Sequence, residues 1–306
     1  MNRALGAAVG VAADRLIGEP PRSVHPVVGF GRIMRAVERG LYADDRGRGV
    51  VHAALGVAVG AGAGALVGST AAATFLAVGG RALGEAALAV GDALADGDLD
   101  RARTLLPALV GRDPGGLDEK EIARAVVESV AENTVDAVVA PALWAAVGGA
   151  AGALGYRAVN TMDAMVGHRS PRYGNYGWAG ARLDDLAGWV PARVTAALVA
   201  AVRPRGAGAV WTAVRDQAPA HPSPNAGVAE AAFAAALGLR LGGENRYGDR
   251  IELRPPLGIG RPPEPADIGR AIALSRDVAG ALGALLVVKS ACTARITTRN
   301  APGRHR

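Results

Sequence analysis

The chain has 306 residues, half of them apolar and 20% charged, with a mean hydropathy of +0.19 and a formal net charge of +6. That much apolar surface excludes a disordered chain, and a single cysteine, Cys292, excludes a disulfide scaffold. With only Lys120 and Lys289 as lysines the basic residues are almost all arginines, interleaved with carboxylates, and the aromatics are sparse. Neither a basic stripe nor a base-stacking surface is present, which argues against nucleic-acid binding. The basic excess suits anionic lipid headgroups or a phosphate-bearing substrate.

Residues 1–13 form a short Ala/Gly/Val run behind Arg3, too weakly apolar for a signal peptide, and read as a retained first helix. Residues 49–80 carry no charge, long enough for a spanning helix of about twenty residues. Within them Gly60, Gly64 and Gly68 recur at every fourth position, a small-residue ridge that lets another helix approach closely in lipid. Residues 81–136 read as soluble helix, with Leu83, Ala87, Val90 and Leu94 at helical spacing, Asp98 or Asp100 as a cap, and a turn at 112–116. A second charge-free run, 137–156, is long enough to span, although Pro141, Gly148, Gly149 and Gly152 bend or interrupt it. Residues 186–202 contain Pro191 and Arg193 and suggest an interfacial or kinked helix. Residues 206–267, richer in Pro, Gly and charge, suggest a solvent-facing region with short helices. Residues 279–288 span only if extended backwards through Arg276 and Asp277. The expected fold is all-α: one domain over residues 1–306, a polytopic membrane helix bundle with helical loops on the cytoplasmic side.

Polar residues kept beside apolar helices are costly, so the chemistry is sought there. Glu128, Glu132 and Asp136 lie four apart and line one helix face, with Asn133 beside them. Like charges at that spacing repel unless a cation, a proton or a basic partner intervenes, so the line is either a site for a divalent metal or metal-nucleotide, or a solvated acidic face. Asn160, Thr161 and Asp163 follow the second apolar run. Arg182, Asp184 and Asp185 precede the proline-containing helix. Carboxylates there supply hard oxygen ligands suited to magnesium, and Arg182 and Arg193 offer fork geometry for phosphate or carboxylate. His25, held before Pro26, is a proton carrier, a substrate contact or a packing residue, and Asn225 in the Pro224-Asn225-Ala226-Gly227 turn caps a helix or touches substrate. No Walker motif, nucleophile elbow, paired Cys-x-x-Cys or H-E-x-x-H is present, which removes P-loop, serine-hydrolase and zinc readings.

The ordered set Asp14, Gly18-Glu19-Pro20-Pro21, His25-Pro26, Glu128-Ser129, Glu132-Asn133, Asp136, Asn160-Thr161-Met162-Asp163 and Met165-Val166-Gly167 resembles the CobD/CbiB family of cobalamin biosynthesis. The resemblance continues through Gly177, Ala181-Arg182-Leu183-Asp184-Asp185, Pro191-Ala192-Arg193, Ser223-Pro224-Asn225-Ala226-Gly227, Gly242-Gly243 and Tyr247-Gly248. Three positions depart from the family pattern: Glu19 stands where Asp is usual, His168 where Tyr is common and Gly188 where Asn is frequent.

The resemblance implies a multi-pass inner-membrane adenosylcobinamide-phosphate synthase with its site facing the cytoplasm. Such an enzyme uses ATP and magnesium to join aminopropanol or its phosphate to the free propionate carboxylate of adenosylcobyric acid. Under it, Glu132, Asp184 and Asp185 are expected to hold magnesium. Glu128, His25 and Asp163 are the catalytic candidates. Asp14, Asn133, Asn160, Thr161, Arg182, Arg193 and Asn225 are expected to bind or orient substrate and nucleotide. The expected partners are these small molecules and the lipid bilayer, with room for self-association or contact with other corrinoid-pathway enzymes. The competing reading is a corrinoid-binding transporter component without chemistry. The Arg203/Arg205 pair and the Arg-rich tail after Lys289 place those segments on the cytoplasmic side.

Overall fold

The computed structural model describes residues 1–299 apart from Arg22, Val24, Arg169, Gly248 and Asp249. Gly248 of the Tyr247-Gly248 pair and the end of the Arg-rich tail therefore lie outside the described residues. Helix α1 (Arg3–Ile17) starts where the Asn2 side chain accepts from the Leu5 amide and stops at Gly18, whose φ of 81° no β-carbon-bearing residue adopts easily. Helix α2 (Pro26–Leu41) begins on His25, whose Nδ1 accepts from the Val27 amide at 3.2 Å.

The uncharged stretch 49–80 is not one helix. Helix α3 (Arg46–Val67), capped by Asp45, ends at left-handed Gly68, and Ser69 then caps α4 (Thr70–Ala77), which leads through Gly79 into α5 (Gly80–Ala95). Gly68 is thus a helix stop, and the close-packing stripe is Gly56, Gly60 and Gly64. A β-carbon at Gly60 would lie 2.7 Å from the Leu154 carbonyl oxygen, so glycine is what allows α3 to touch residues 150–162.

Helix α6 (Leu99–Leu105) is capped by Asp98, and α7 (Glu119–Thr134) opens with a capping box between Asp118 and Glu121. The expected soluble character of 81–136 does not hold. Ile122, Ala123, Ala125, Val126, Val127, Val130 and Ala131 are at most 1% exposed, because α5 and two helices later in the chain pack against this stretch of α7.

The chain then runs through a π-helical turn (Val135–Val139) into α8 (Ala140–Met162) and a second π turn (Asp163–Gly167). Asp136 and Asn160 are 24 positions apart, which in a straight helix means about 36 Å. Their side chains are instead 3.2 Å apart, and the Tyr156 hydroxyl donates to Asp136 at 3.4 Å. The reversal is at Gly149 (φ 65°, ψ −148°), a conformation essentially reserved for glycine. A β-carbon on Gly152 would strike the Trp144 carbonyl, and Arg3 donates to the Val147 carbonyl at 2.7 Å, closing the end of the first arm. The run 137–156, expected to be long enough to span, is therefore a helical hairpin that enters and returns.

Helix α9 (Trp178–Val202) passes through Pro191 unbroken, against the expected kink or interfacial helix. A proline strips the amide that would bond the carbonyl four residues earlier. Here that carbonyl, on Ala187, accepts from the Trp144 indole at 3.0 Å, so the missing bond is replaced from the neighbouring arm. Helices α10 (Ala207–Asp216) and α11 (Ala226–Leu237) follow, then an antiparallel pair, β1 (Leu241–Tyr247) and β2 (Arg250–Leu257), and finally α12 (Pro265–Arg299), which extends back through Arg276 and Asp277. The stretch 206–267 is thus only partly solvent-facing: α11 is core, with Ala229, Ala231, Ala232, Phe233 and Ala234 fully buried.

Among the described residues, five helical stretches are long and apolar enough to cross a bilayer: Arg46–Val67, Thr70–Ala95, Glu119–Gly167, Trp178–Val202 and Pro265–Thr293. The fold is an all-α membrane bundle with one small two-stranded sheet.

Candidate functional site

The reversal at Gly149 sets the site. It carries Asp163, at the end of the returning arm, back beside Asp136, at the start of the entering one, and each of these residues sits on a π turn. Such turns widen a helix by one residue and rotate the side chains that follow, and they recur at functional sites. Asn160 bridges the two partners across the hairpin mouth, donating to Asp136 at 3.2 Å and to Asp184 of α9 at 3.4 Å.

Around this bridge lies a hollow of about 700 Å³. Glu132 and Asp136 form one wall, Asp163 and His168 a second, Asp184 and Asp185 a third, while Ser223, Asn225 and the β2 residues Glu252 and Arg254 close it. Among the described residues, six carboxylates thus face a single arginine. Repulsion among them is relieved by protonation or by a cation, and a carboxylate-rich donor set suits a hard cation or an ammonium group. Four predicted site residues line the hollow with carboxylates, Glu132, Asp163, Asp184 and Asp185. Asn225 lines it as well, and Asn160 joins through its hydrogen bonds.

Glu128 lies one turn deeper, in an adjoining cavity of about 120 Å³ that shares Glu132 and Arg254 with the hollow. Both its oxygens are engaged: Arg112 donates to one at 2.5 Å and the Gly242 amide to the other at 2.9 Å. Arg112 also donates to Asn245, and Arg124 to the carbonyls of Gly242 and Glu244. These contacts moor β1, and through it β2, against α7, which is how Glu252 and Arg254 reach the hollow.

On the far wall of the small cavity, burial beside Glu128 and Glu132 pushes the Glu230 carboxyl well above the usual range. His221 lies 3.6 Å from Glu230, Arg254 donates to its Nε2 at 2.6 Å, and both the amide and the carbonyl of Ser223 lie 3.1 Å from its Nδ1. Burial lowers the His221 pKa from its ordinary 6.5. A neutral buried imidazole contributes stability fully above about pH 6.5 and loses it as the pH falls towards the lowered folded value. The melting midpoint in detergent is therefore expected to drop between about pH 6.5 and pH 5. His221→Gln, which keeps an acceptor but cannot titrate, is expected to flatten that drop, and parallel profiles for the two proteins would exclude His221 as its source.

Other predicted residues lie elsewhere. Asn133 donates back to Ser129, and Thr161 donates to the Arg157 carbonyl at 2.7 Å, so both serve their own helices. Arg182 is two-thirds exposed at the rim, 3.5 Å from Asp185. Arg193 stacks on Trp189 and donates to the Pro224 carbonyl and to Asn225 Oδ1, pinning the 223–227 turn to α9. Asn225 occupies the position before α11 without capping it through its side chain. Its amide donates to the Asp185 carbonyl at 2.9 Å, and the Ser223 hydroxyl accepts from the Ala226 amide in its place. A β-carbon built on Gly188 would stand 2.6 Å from Asn225 Nδ2, so a larger residue there requires the Asn225 side chain to shift. Asp14 and His25 are on the other side of the Val135–Val139 turn: His25 Nε2 is 3.4 Å from Glu19, and Asp14 accepts from the Arg81 amide.

Arg112, Glu230, Glu252 and Arg254 escape sequence reading. Arg112 sits in a turn, Glu230 in an apolar helix, and Glu252 and Arg254 on a strand with no diagnostic pattern; only the tertiary fold joins them to the carboxylate line.

A family model described as CobD/Cbib protein matches residues 7–275, which include every residue lining the hollow. The chain belongs to the CobD/CbiB family. It is 48% identical over 303 residues to "Cobalamin biosynthesis protein CobD" of Mycobacterium tuberculosis, covering 94% of this chain and 96% of the relative. It is 45% identical over 291 residues to the protein of that name from Chromobacterium violaceum (90% and 92% covered), and 41% over 297 residues to that from Rhodobacter capsulatus (90% and 94%). No solved structure matches the chain.

Proposed function

We propose that this CobD/CbiB chain acts in cobalamin biosynthesis as an ATP-dependent amide ligase, joining aminopropanol or aminopropanol phosphate to the free propionate carboxylate of adenosylcobyric acid. The observation that carries this reading is the hollow of six carboxylates inside the stretch matched to the family. An amide ligase handles two cationic species, the ammonium of the amine and the metal that accompanies ATP, and a hollow so rich in acid can receive both.

Condensing a carboxylate with an ammonium in water is uphill. In the proposed sequence the propionate oxygen attacks a phosphorus of ATP, giving an acyl phosphate and ADP or an acyl adenylate and pyrophosphate. The amine nitrogen then attacks the acyl carbon, the C–N bond forms, the C–O bond to phosphorus breaks, and the proton lost by the ammonium passes to a carboxylate. Asp163, on the open wall, is the acceptor in this reading. Asn160 and Asn225 orient the reactants, and Arg182 at the rim meets phosphate. Glu128, with both oxygens occupied, and His25, outside the hollow, become positioning residues. So do Asn133, Thr161 and Arg193, while Asp14 belongs to a different cleft.

Magnesium, when bound, supplies charge neutralisation at the phosphates. Glu132, Asp184 and Asp185 would hold it. Among the described residues no three such side chains converge as a preformed cage. The ion would therefore take one or two of these three carboxylates directly and complete its shell with phosphate oxygens and water. The supply of ATP favours a cell inner-membrane protein whose hollow opens to the cytoplasm.

The test is incubation of purified protein with adenosylcobyric acid, ATP, magnesium and each amine in turn, followed by product mass. An amide product formed only with ATP is expected. Retention of the corrinoid with no product from either amine would overturn the ligase and favour a binding or transport component.

A further inference from the structure

A second cleft, of about 610 Å³, opens between α1 and α12 on the side of the Val135–Val139 turn away from the acidic hollow. It runs along α12 from Ser275 to Val287, roughly 18 Å at the helical rise. That is close to the depth of one leaflet of a hydrocarbon core about 30 Å thick. Its two ends differ in chemistry. At the Val287 end the walls are small and apolar, with Ala8, Gly283 and Ala284. At the Ser275 end they carry Arg15, Arg81, Arg276, Glu85 and Asp14.

The charges at that end do not cancel. Arg81 is neutralised by Glu85 at 2.7 Å and also donates to the Leu16 carbonyl, whereas no side-chain hydrogen bond or ion pair holds Arg15 or Arg276 among the described residues. Asp14 is 3% exposed; one oxygen accepts from the Arg81 amide, and the other, Oδ1, is buried without a partner. Burial also pushes this carboxyl above its usual range, towards the neutral form that donates a hydrogen bond. The floor is kept open by glycine: β-carbons built on Gly280 and Gly283 meet nothing within 4 Å.

We propose that this cleft is a binding site for an anionic phospholipid, one acyl chain lying along Gly280, Gly283 and Val287 and the phosphate held between Arg15 and Arg276 with Asp14 donating to it. An acyl chain fills a groove that no side chain enters, and a phosphodiester satisfies two unpaired guanidinium groups and one orphaned buried oxygen together. A zwitterionic lipid offers the chain but not the net charge, and free phosphate uses the arginines but leaves the apolar half unfilled.

Native mass spectrometry of the full chain in detergent, with equal amounts of phosphatidylglycerol and phosphatidylcholine, tests the site. One phosphatidylglycerol retained per chain is expected, preferred over phosphatidylcholine by about twenty-five-fold if each arginine contributes roughly fivefold. R15Q/R276Q is expected to lose the preference while still taking either lipid. G280L/G283L, whose new side chains enter open space, is expected to lose lipid altogether with an unchanged size-exclusion profile. Equal retention of the two lipids by the wild type, binding of inorganic phosphate alone, or undiminished phosphatidylglycerol on G280L/G283L would each overturn the proposal.

Discussion

Asp184→Asn and Glu132→Gln are each expected to lower kcat/KM for ATP-dependent amide formation by at least about a hundredfold, the usual scale for removing one preorganised charge from a reacting centre. Asp184 is tied to Asn160 across the hairpin mouth, and Glu132 is the wall shared by the hollow and the small cavity behind it. Each substitution is close to isosteric and removes one negative charge from a group of six. Folding should therefore be unharmed or improved, because like-charge repulsion falls. A loss of turnover with an undiminished melting midpoint is thus the signature of a charge kept for chemistry. The double variant is expected to be little worse than either single one, since residues that serve one cation act as a unit. Steady-state rates near wild type in both single variants would remove the proposed metal assignment.

The second large effect concerns stability. Arg112 and Glu128 form a pair with side chains 5% and 8% exposed, and both also bind the β1 segment. Arg112→Ala would strand a buried carboxylate and is expected to cost about 3–5 kcal/mol. The partial substitute, Arg124 at 3.9 Å, is already committed to the Gly242 and Glu244 carbonyls. Arg112→Ala combined with Glu128→Gln should recover most of the loss, because the stranded charge is gone, and the coupling is read from melts of the wild type, both single variants and the double. An unaltered midpoint for Arg112→Ala would show that the pair does not hold the hairpin in place.

Much of this was legible in the residues alone. The Asp98 cap, the glycine stripe on α3 and the line Glu128, Glu132, Asp136 follow from spacing, and spacing is a property of a single helix. What spacing does not carry is the sense of a reversal. Gly148-Gly149 reads equally as a bend or a break, and only its contacts with Arg3 and Thr70 fix it as the tip of a hairpin. Pro191 reads as a kink because the tryptophan that satisfies the freed carbonyl is 47 positions away in sequence. α7 reads as soluble helix from its charged residues, and Glu119 and Lys120 at its start do face solvent, yet Arg124 and Glu128 further along are buried in contacts with the β1 segment. The paired strands were missed because the alternation of Arg250, Glu252 and Arg254 with Ile251 and Leu253 is only five residues long and runs into two prolines, and its apolar face stays exposed.

The Gly149 hairpin has a directional consequence. Its tip stands beside Thr70, just past the end of α3, while Asp136 lies some 20 Å back along the entering arm. Reactants arriving from the tip's side would have to travel the length of both arms. The mouth marked by Asp136 and Asn160 lies at the other end of the arms, beside His168, so loading is expected from that end, and a reagent confined to the tip's side is expected to leave the acidic hollow untouched.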